Sequence, residues 1–438
     1  MKNSLPLEEM NYYRLSHAQK RAWDIEKAHP NTPMENIGGV VLIKGQPNVE
    51  LVKRAINIFL MKNSGLRLRF TEKEGQVLQY IYPYEQEDFE YIDFSNDENS
   101  QKSFKVWSQK TFSTPFVLKN SSLYYLGIFK INSEEWGIML RIHHIICDGW
   151  GTSIMQKDIL KTYMKLLKGE EVDLNSAPSF IDFLMKEEKY LKSPQYLKDK
   201  EYWNNKFSNI TEDFLYKSTN ASKGNRKIFK IEKEHSINIK NYLEQKKLSI
   251  NTFFLMLLGL YLKHKTGKSD IIVGNPIFNR LTKKDRETLG MCISKMPVRL
   301  RIEDEKTISE FIDEINLEMR RDLYHQRYPY DELVKDLKIG EKGYTSLYRY
   351  SINYYNTNYL KDLGNNSPIQ ALEYYNGTQN YSLQVILKEI EKDELYMSYD
   401  YRVEEYSEEE INEMYEYMMY VSKELIKEEK SSIRDIIK

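Results

Sequence analysis

The sequence predicts an α/β protein built from two similar lobes. Its 438 residues exceed what one hydrophobic core usually organises, so two lobes of roughly 200 residues each are expected. Helical patterns and short strand patterns alternate in both halves, which is typical of α/β folds. No residue-level repeat accompanies this alternation, but a deep cleft between two such lobes is expected.

The elements of the first lobe begin with a helix. Ser16 is an N-cap candidate for a helix that continues at helical spacing. A strand follows at Val40–Ile43, and the apolar spacing of Val49–Met61 predicts a second helix. The next segment, Ser64–Phe70, is predicted as a strand that carries Arg67 and Arg69 on one face. Two interpretations stay open. Either both arginines lie on a solvated face, or Arg67 packs under the turn that follows His143 and His144 and supports that turn.

The middle of the chain predicts a hairpin, a helix and a lobe boundary. Leu123–Phe129 and Trp136–His144 form the predicted hairpin, and Thr152–Leu167 the helix after it. Residues 168–178 are polar and rich in turn formers, so the boundary is placed within them. The predicted lobes are therefore residues 1–175 and 176–438.

The second lobe repeats the alternation of helices and strands. Its predicted helices are Phe180–Tyr190, Tyr196–Phe207, His235–Lys246, Thr252–His264, Thr307–His325 and Ser407–Ile426. Thr307 and Ser407 are the predicted N-caps of the last two. Its predicted strands are Asp270–Gly274, Tyr348–Tyr354, Leu383–Leu387 and Leu395–Tyr401. The apolar stretch Leu289–Leu300 is too irregular for one helix and is expected to form part of a cleft wall or floor.

Composition argues against two classes of partner and against secretion. Lys plus Arg number 64 and Asp plus Glu 65, so bulk charge attracts neither nucleic acid nor an anionic membrane. The longest apolar run, Phe253–Leu262, is half the roughly 20 residues that span a bilayer. Two cysteines are too few for a disulfide framework, and Met1–Met10 contains no signal core. A cytoplasmic location is expected.

The most informative stretch is Arg141–Gly151, where a strand is predicted to end in a turn that leads into a helix. His143 and His144 stand there side by side. Neighbouring strand residues point to opposite faces, so one imidazole faces a cavity and the other the packed side. Only one of them can act as a base, a task suited to an imidazole near neutral pH.

Asp148 and Gly149 follow these histidines. Asp148 either orients a histidine, as the carboxylate of a hydrolytic triad does, or pairs with a distant arginine and holds the turn rigid. Gly149 is expected to permit a backbone conformation that a side chain would oppose. No metal is predicted, because no cysteine or carboxylate cluster supplies further ligands at a usual spacing.

Six further segments complete a recognisable series in sequence order. They are Ser16–Trp23, Leu66–Phe70, Tyr202–Trp203, Gly274–Arg280, Gly290–Pro297 and His325–Tyr330. With His143–Gly149, which spells His-His-x-x-x-Asp-Gly, they resemble the condensation domains of nonribosomal peptide synthetases, within the chloramphenicol-acetyltransferase-like superfamily. The resemblance covers essentially the whole chain.

The resemblance implies a fold and a reaction. Two acetyltransferase-like lobes would form a V-shaped pseudo-dimer, with a tunnel that reaches His144 from both faces and a floor loop near residues 279–297. An acyl or aminoacyl thioester on the phosphopantetheine arm of a carrier protein would enter one side. An amine, free or carrier-bound, would enter the other, and the product would be an amide.

The resemblance also implies roles for individual residues. His144, with His143, Asp148 and Gly149, would form the catalytic motif, and Gly149 would line the reaction centre. Asp148 would be structural and would pair with Arg280 across the lobe junction. Arg67 and Trp150 would support the site, whereas Met291 and Ser294 would line the substrate tunnel.

The same resemblance bears on cofactors and partners. The chain would bind no cofactor of its own, because a partner carrier protein presents the phosphopantetheine arm. No Gly-Gly-x-Ser-type carrier motif and no adenylate-forming loop is found. Acyl or peptidyl carrier proteins are therefore expected in trans, and the chain is expected to be a free-standing domain or one excised from a longer synthetase.

Two positions depart from the family pattern. Ser294 stands where many members carry Asn, and Gly151 stands where Ser is common. Both are expected near the substrates, so they bear on donor or acceptor preference. Both histidines are present, unlike in the cyclising relatives, and the Asp-Gly-Trp-Gly run differs from the pattern of epimerising relatives.

Three functions compete. The first is an amide-forming condensation enzyme, including the starter type that attaches a fatty acyl group. The second is a related acyltransferase that makes esters or uses a soluble acyl-thioester. The third is a catalytically silent domain that docks carrier proteins, against which the intact His143, His144, Asp148 and Gly149 argue.

Overall fold

The computed structural model describes residues 10–217, 223–355, 359–364, 367–428 and 430–437. Met1–Met10, predicted to lack a signal core, lies outside these ranges except for Met10. The strands are β1 (Tyr13–Arg14), β2 (Asn36–Lys44), β3 (Leu68–Lys73), β4 (Gln76–Ile81), β5 (Tyr91–Asp93), β6 (Tyr124–Lys130), β7 (Glu135–His143), β8 (Gly224–Lys230), β9 (Asp270–Ile277), β10 (Ser294–Arg301), β11 (Tyr350–Tyr354), β12 (Ile369–Glu373), β13 (Leu383–Glu391) and β14 (Glu394–Arg402).

The helices lie between and after these strands, in places two or three in succession. They are α1 (His17–Ala28), α2 (Val49–Lys62), α3 (Ser100–Phe112), α4 (Gly149–Leu167), α5 (Phe180–Leu191), α6 (Pro194–Phe207), α7 (Lys233–Lys246), α8 (Ile250–Thr266), α9 (Lys283–Glu287), α10 (Ile308–Tyr324), α11 (Tyr330–Asp336), α12 (Glu408–Lys427) and α13 (Ile433–Ile436). Short 3₁₀ turns lie at Ser64–Arg67, His144–Ile146, Glu212–Phe214 and Ile339–Lys342.

Predicted N-caps begin three of these helices. The Ser16 hydroxyl accepts the Gln19 amide, and the Gln19 side chain accepts the Ser16 amide, which makes a capping box. Ser407 forms the same box with Glu410 at the start of α12, and Thr307 also caps α10 in this way. The predicted starts of these helices are confirmed, because each cap satisfies amide groups that the first turn leaves open.

Contacts divide the chain into two compact units. The first comprises residues 1–191, 280–293 and 357–376, and the second the segments 192–279, 294–356 and 377–438. The predicted lobes, 1–175 and 176–438, stay a prediction. In the structure α5 belongs to the first unit, and two later segments of the chain return to that unit.

The first unit is built on a five-stranded sheet in the order β12-β2-β7-β6-β5. Its pairs are antiparallel except for β5 with β6. The helices α2 and α4 pack together over one face, and α3 contacts β2 and β7. A separate antiparallel sheet of order β1-β4-β3 completes the unit. The predicted hairpin is confirmed as β6 and β7, and β7 leads directly into the functional turn.

The second unit is built on a six-stranded sheet in the order β10-β9-β11-β13-β14-β8. The strand β11 runs parallel to both of its neighbours, whereas the other pairs are antiparallel. The apolar helix α8 is buried along almost its whole length and contacts β9, β11 and α12. No helix in the described part of the chain is long and apolar enough to span a membrane.

Candidate active site

The functional turn joins the end of β7 to the start of α4. The strand ends at His143, a 3₁₀ turn covers His144–Ile146, and α4 begins at Gly149 with Asp148 as its N-cap. The Oδ1 atom of Asp148 accepts the amide of Gly151 at 3.0 Å. The predicted order of strand, turn and helix is confirmed, and it gathers the predicted motif within one turn.

His143 is the packed member of the histidine pair. Its residue surface is 1% exposed, and its ring meets the Phe116 ring edge to face at 6.1 Å between centroids. Its Nδ1 atom accepts the amide of Ile145 at 3.1 Å. A ring nitrogen can accept only when it carries no proton, so the proton of the neutral ring lies on Nε2. That nitrogen lies 3.5 Å from the Glu26 carboxylate.

His144 is the more accessible member of the pair. Its backbone is fixed, because its amide donates to the Glu35 carbonyl at 2.8 Å and its own carbonyl accepts the Cys147 amide. The residue is partly exposed. Within the described ranges, its Nδ1 atom has no hydrogen-bond partner. That nitrogen is itself buried, so the exposed part of the residue lies elsewhere on His144. The backbone of His144 is thus fixed on the turn, while part of the residue stays accessible.

Asp148 is fully buried and pairs with Arg280. The two guanidinium Nη atoms donate to the two carboxylate oxygens at 2.8 and 2.9 Å, and neither side chain is exposed. The amides of Cys292 and Ile293 also donate to Oδ2, at 3.0 and 3.2 Å. Of the two roles left open for Asp148, the structure shows the arginine pair, because both oxygens are occupied in this way.

The electrostatics of this pair favour the charged forms. Burial alone would raise the pKa of Asp148, but the Arg280 charge and the hydrogen bonds from Arg280, Gly151 and Cys292 hold it below its usual value. Burial likewise opposes the charge of Arg280, yet Asp148 raises the pKa of the guanidinium. Arg280 is the first residue of the segment 280–293 of the first unit. Its Nη2 atom also donates to the Gly290 carbonyl at 3.3 Å. The pair therefore ties that segment to the turn.

Comparison with known proteins identifies the family. The family model of the condensation domain matches residues 9–437. The chain belongs to the condensation domain family. Condensation domains are acyltransferases that form amide bonds in nonribosomal peptide synthesis, and this domain is an enzyme of that class.

Curated relatives agree with this family. The domain is 29% identical over 419 residues to surfactin synthase subunit 1 and 26% identical over 333 residues to a dimodular nonribosomal peptide synthase, both of Bacillus subtilis (strain 168). These matches cover 94% and 75% of this chain but only 12% and 14% of the two synthases. The domain therefore spans a small part of the curated relatives it matches.

Solved condensation domains have the same fold. The starter condensation domain of rhizomide synthetase, a mutant in complex with C8-CoA and Leu-SNAC, matches with a TM-score of 0.85 at 21% identity over 96% of each chain. The first condensation domain of the calcium-dependent antibiotic synthetase, in complex with a substrate analogue, matches with a TM-score of 0.83 at 18% identity over 97% of this chain and 98% of that one. The predicted α/β fold class is confirmed.

The condensation domain holds Trp150 beside the Arg280 segment. The indole Nε1 atom donates to the Arg286 carbonyl at 2.8 Å, which links the first turn of α4 to the segment that carries Arg280. Met291 lies in the same segment and is buried. Ser294 is the first residue of β10 and belongs to the second unit. The tunnel roles of Met291 and Ser294 stay predictions.

Arg67 lies elsewhere than expected. It ends a 3₁₀ turn before β3, and its guanidinium donates to the carbonyls of Leu60 at 3.1 Å and Tyr82 at 2.7 Å. Among the described residues its hydrogen bonds go to the end of α2 and the segment after β4, not to the turn at His143–Gly149. Neither expectation holds: Arg67 joins a helix end to a strand end of the scaffold.

The expectation for Gly149 is not met, and the structure shows how its neighbour Gly151 packs. Gly149 is the first residue of α4 and has the ordinary helical backbone, so the expected special conformation is wrong. Gly151 is buried, and a Cβ atom there would lie 2.5 Å from the Cys147 sulfur. The departure at Gly151 is therefore explained by packing against Cys147.

Two residues of α1 to which the sequence assigned no role also contact the turn. The Gln19 side-chain amide donates to the Ile145 carbonyl at 3.3 Å, and the Glu26 carboxylate lies beside the His143 ring. Gln19 stood inside the recognised opening motif without an assigned role. Glu26 lay outside every motif, and the signal that could have found it is its seven-residue spacing from Gln19 on one helix face.

Proposed function

We propose that this domain joins an acyl or aminoacyl group, presented as a thioester, to an amine and releases an amide and a thiol. The observation that supports this most strongly is that His143, Asp148 and His144 differ in their hydrogen-bond partners. The His143 ring accepts the Ile145 amide, and Asp148 pairs with Arg280, whereas His144 has no such partner in the described ranges and is partly exposed as a residue. We therefore assign proton transfer to His144.

The proposed reaction is an aminolysis. The amine nitrogen attacks the thioester carbonyl carbon, the carbon–sulfur bond breaks, and the proton lost by the nitrogen passes through the His144 imidazole to the leaving thiolate. An α-amine with a pKa near ~8 is partly neutral at pH 7, so the base need not be strong. Orientation can supply on the order of 7 kcal/mol, and general-base assistance roughly 10²–10⁴-fold in rate.

Gly149 and Trp150 fit a supporting role in this proposal. Gly149 begins α4 directly after the Asp148 cap, so the reaction centre would lie against the first turn of that helix. The hydrogen bond from the Trp150 indole connects the same turn to the segment that contains Met291. We keep Met291 and Ser294 as the residues that line the path of the substrates.

The proposed donor arrives on a partner. A carrier protein would present it on a phosphopantetheine arm, and the acceptor amine would be free or bound to a second carrier. The domain would bind no further cofactor, and we propose a cytoplasmic location. A soluble acyl-thioester is the second candidate donor, favoured by the complex of the rhizomide starter domain with C8-CoA.

The test is a product analysis by mass spectrometry. Purified protein is mixed with acyl- and aminoacyl-carrier proteins, acyl-CoA and short thioester mimics, together with amines and alcohols. An amide that requires His144 supports the proposal and identifies the donor class. The matched control is His264→Ala, which removes an exposed histidine of the second unit and should leave the rate unchanged. Ester as the product, or no product with carrier binding intact, would contradict the proposal.

A further inference from the structure

The helix α1 presents two polar side chains to the functional turn. Gln19 and Glu26 are seven residues apart, so they lie on the same face two helical turns from each other. Gln19 reaches the Ile145 carbonyl, and Glu26 reaches the His143 ring. One helix thus contacts both sides of the segment that carries His144.

The His143 ring needs an acceptor for its proton. Since Nδ1 accepts the Ile145 amide, the ring proton lies on Nε2, and the residue is too deeply buried for that proton to reach water. In the described part of the chain Nε2 has no hydrogen-bond partner. The Glu26 Oε2 atom lies 3.5 Å away, at the outer limit of a hydrogen bond.

The Glu26 carboxylate in turn needs a donor. Its side chain is only 12% exposed, and a carboxylate removed from water is unfavourable without a partner. Within the described ranges, the one basic side chain that approaches this carboxylate is that of His143, at 3.5 Å. The buried His143 ring and the mostly buried Glu26 side chain therefore face each other.

We propose that Glu26 is a positioning residue of the active site. Its carboxylate accepts the Nε2 proton of His143, and the ring held in this way keeps Nδ1 on the Ile145 amide. That hydrogen bond spans His144, so it fixes the backbone from which the His144 imidazole projects. The consequence for catalysis rests on the proposed function.

Three variants separate this role from packing. Glu26→Leu keeps the bulk and removes the acceptor, whereas Glu26→Gln keeps an acceptor oxygen. Asp24→Leu is the matched control, because Asp24 is an exposed carboxylate on the same helix. Misplacement of a catalytic group by about 1 Å can reduce the rate about 100-fold, so we expect Glu26→Leu to lower kcat roughly 10- to 100-fold with KM unchanged. Glu26→Gln should retain most of the wild-type rate, because its amide oxygen can accept the same proton.

Hydrogen exchange tests the same proposal without activity. We expect the amide of Ile145 to exchange faster in Glu26→Leu than in the wild type, and Glu26→Gln and Asp24→Leu to match the wild type. In a His143→Phe background, Glu26→Leu should cause no additional change in exchange or kcat. Equal exchange and equal kcat in Glu26→Leu and Asp24→Leu would overturn the proposal.

The two proposals fail in different ways. If the wild type makes no product, the proposed function fails, and the exchange of the Ile145 amide still decides whether Glu26 positions the turn. If Glu26→Leu does not fold, Glu26→Asp takes its place, since a shorter side chain withdraws the carboxylate from His143. Glu26→Asp should then exchange the Ile145 amide faster than the wild type, and wild-type exchange would count against the proposal.

Discussion

Removal of Asp148 should destabilise the first unit far more than removal of an exposed carboxylate. In Asp148→Ala, the buried Arg280 guanidinium loses both carboxylate oxygens to which it donates, at 2.8 and 2.9 Å. The amides of Gly151, Cys292 and Ile293 lose the same carboxylate. The helix α4 also loses its N-cap.

The size of the effect follows from the burial of the pair. Removing one partner of a buried pair costs about 3–5 kcal/mol, because the other charge is left uncompensated. An exposed pair contributes about 0–1 kcal/mol. For a folding unit of roughly 200 residues, each kcal/mol lowers Tm by about 2–4 °C, so we expect Asp148→Ala to lower Tm by about 6–20 °C.

The matched control lies in the same unit. Asp182 pairs with Lys284 at 2.8 Å, and both side chains are about half exposed, at 51% and 55%. Urea and thermal unfolding of wild type, Asp148→Ala and Asp182→Ala give the comparison. If the free energies of unfolding of the two variants differ by less than about 1 kcal/mol, the buried pair does not stabilise the turn as argued.

Three further predictions concern the same turn. In Gly151→Ser the new Cβ would meet the Cys147 sulfur at 2.5 Å, so we expect a loss of about 1–3 kcal/mol by urea unfolding that Cys147→Ala restores; no loss, or no rescue, contradicts this. Because the folded pKa of Asp148 is lowered, its stabilisation is complete above the unfolded value near ~3.9 and fades as pH falls through the folded pKa. The difference in unfolding free energy between wild type and Asp148→Ala should therefore be constant from about pH 5 to 8 and shrink below about pH 4; a difference that grows in acid refutes the sign. Burial raises the pKa of the Cys147 and Cys292 thiols, so a thiol reagent at about pH 8 should label neither in the folded protein and both in urea, whereas rapid labelling of the native chain would show that they are accessible.

Local signals predicted the elements that depend on neighbouring residues. Ser16 and Ser407 were correct as caps because a capping box is formed within four residues, and both boxes are present. The strand, turn and helix around His143 were also predictable, since an apolar run, an Asp-Gly turn former and helical spacing follow one another there. The family motifs added the Asp148–Arg280 pair, which no local pattern could supply.

Long-range contacts account for what the sequence did not predict. The strand β12 pairs with β2, far away in the chain, and a five-residue strand carries too little pattern to indicate such a partner. Arg67 lies on a 3₁₀ turn rather than on a strand, and its guanidinium satisfies carbonyls at the end of α2. The Glu26–His143 contact also depends on packing, since α1 must lie against the turn before the two side chains meet.

The central claim is that the His144 imidazole transfers the proton in amide formation. Its most direct test is the single-turnover rate of amide formation by His144→Ala, measured by mass spectrometry beside wild type and His264→Ala with the same thioester donor and amine. General-base assistance of roughly 10²–10⁴-fold predicts a loss of at least about 100-fold in His144→Ala alone. A rate within about tenfold of the wild type would contradict the claim.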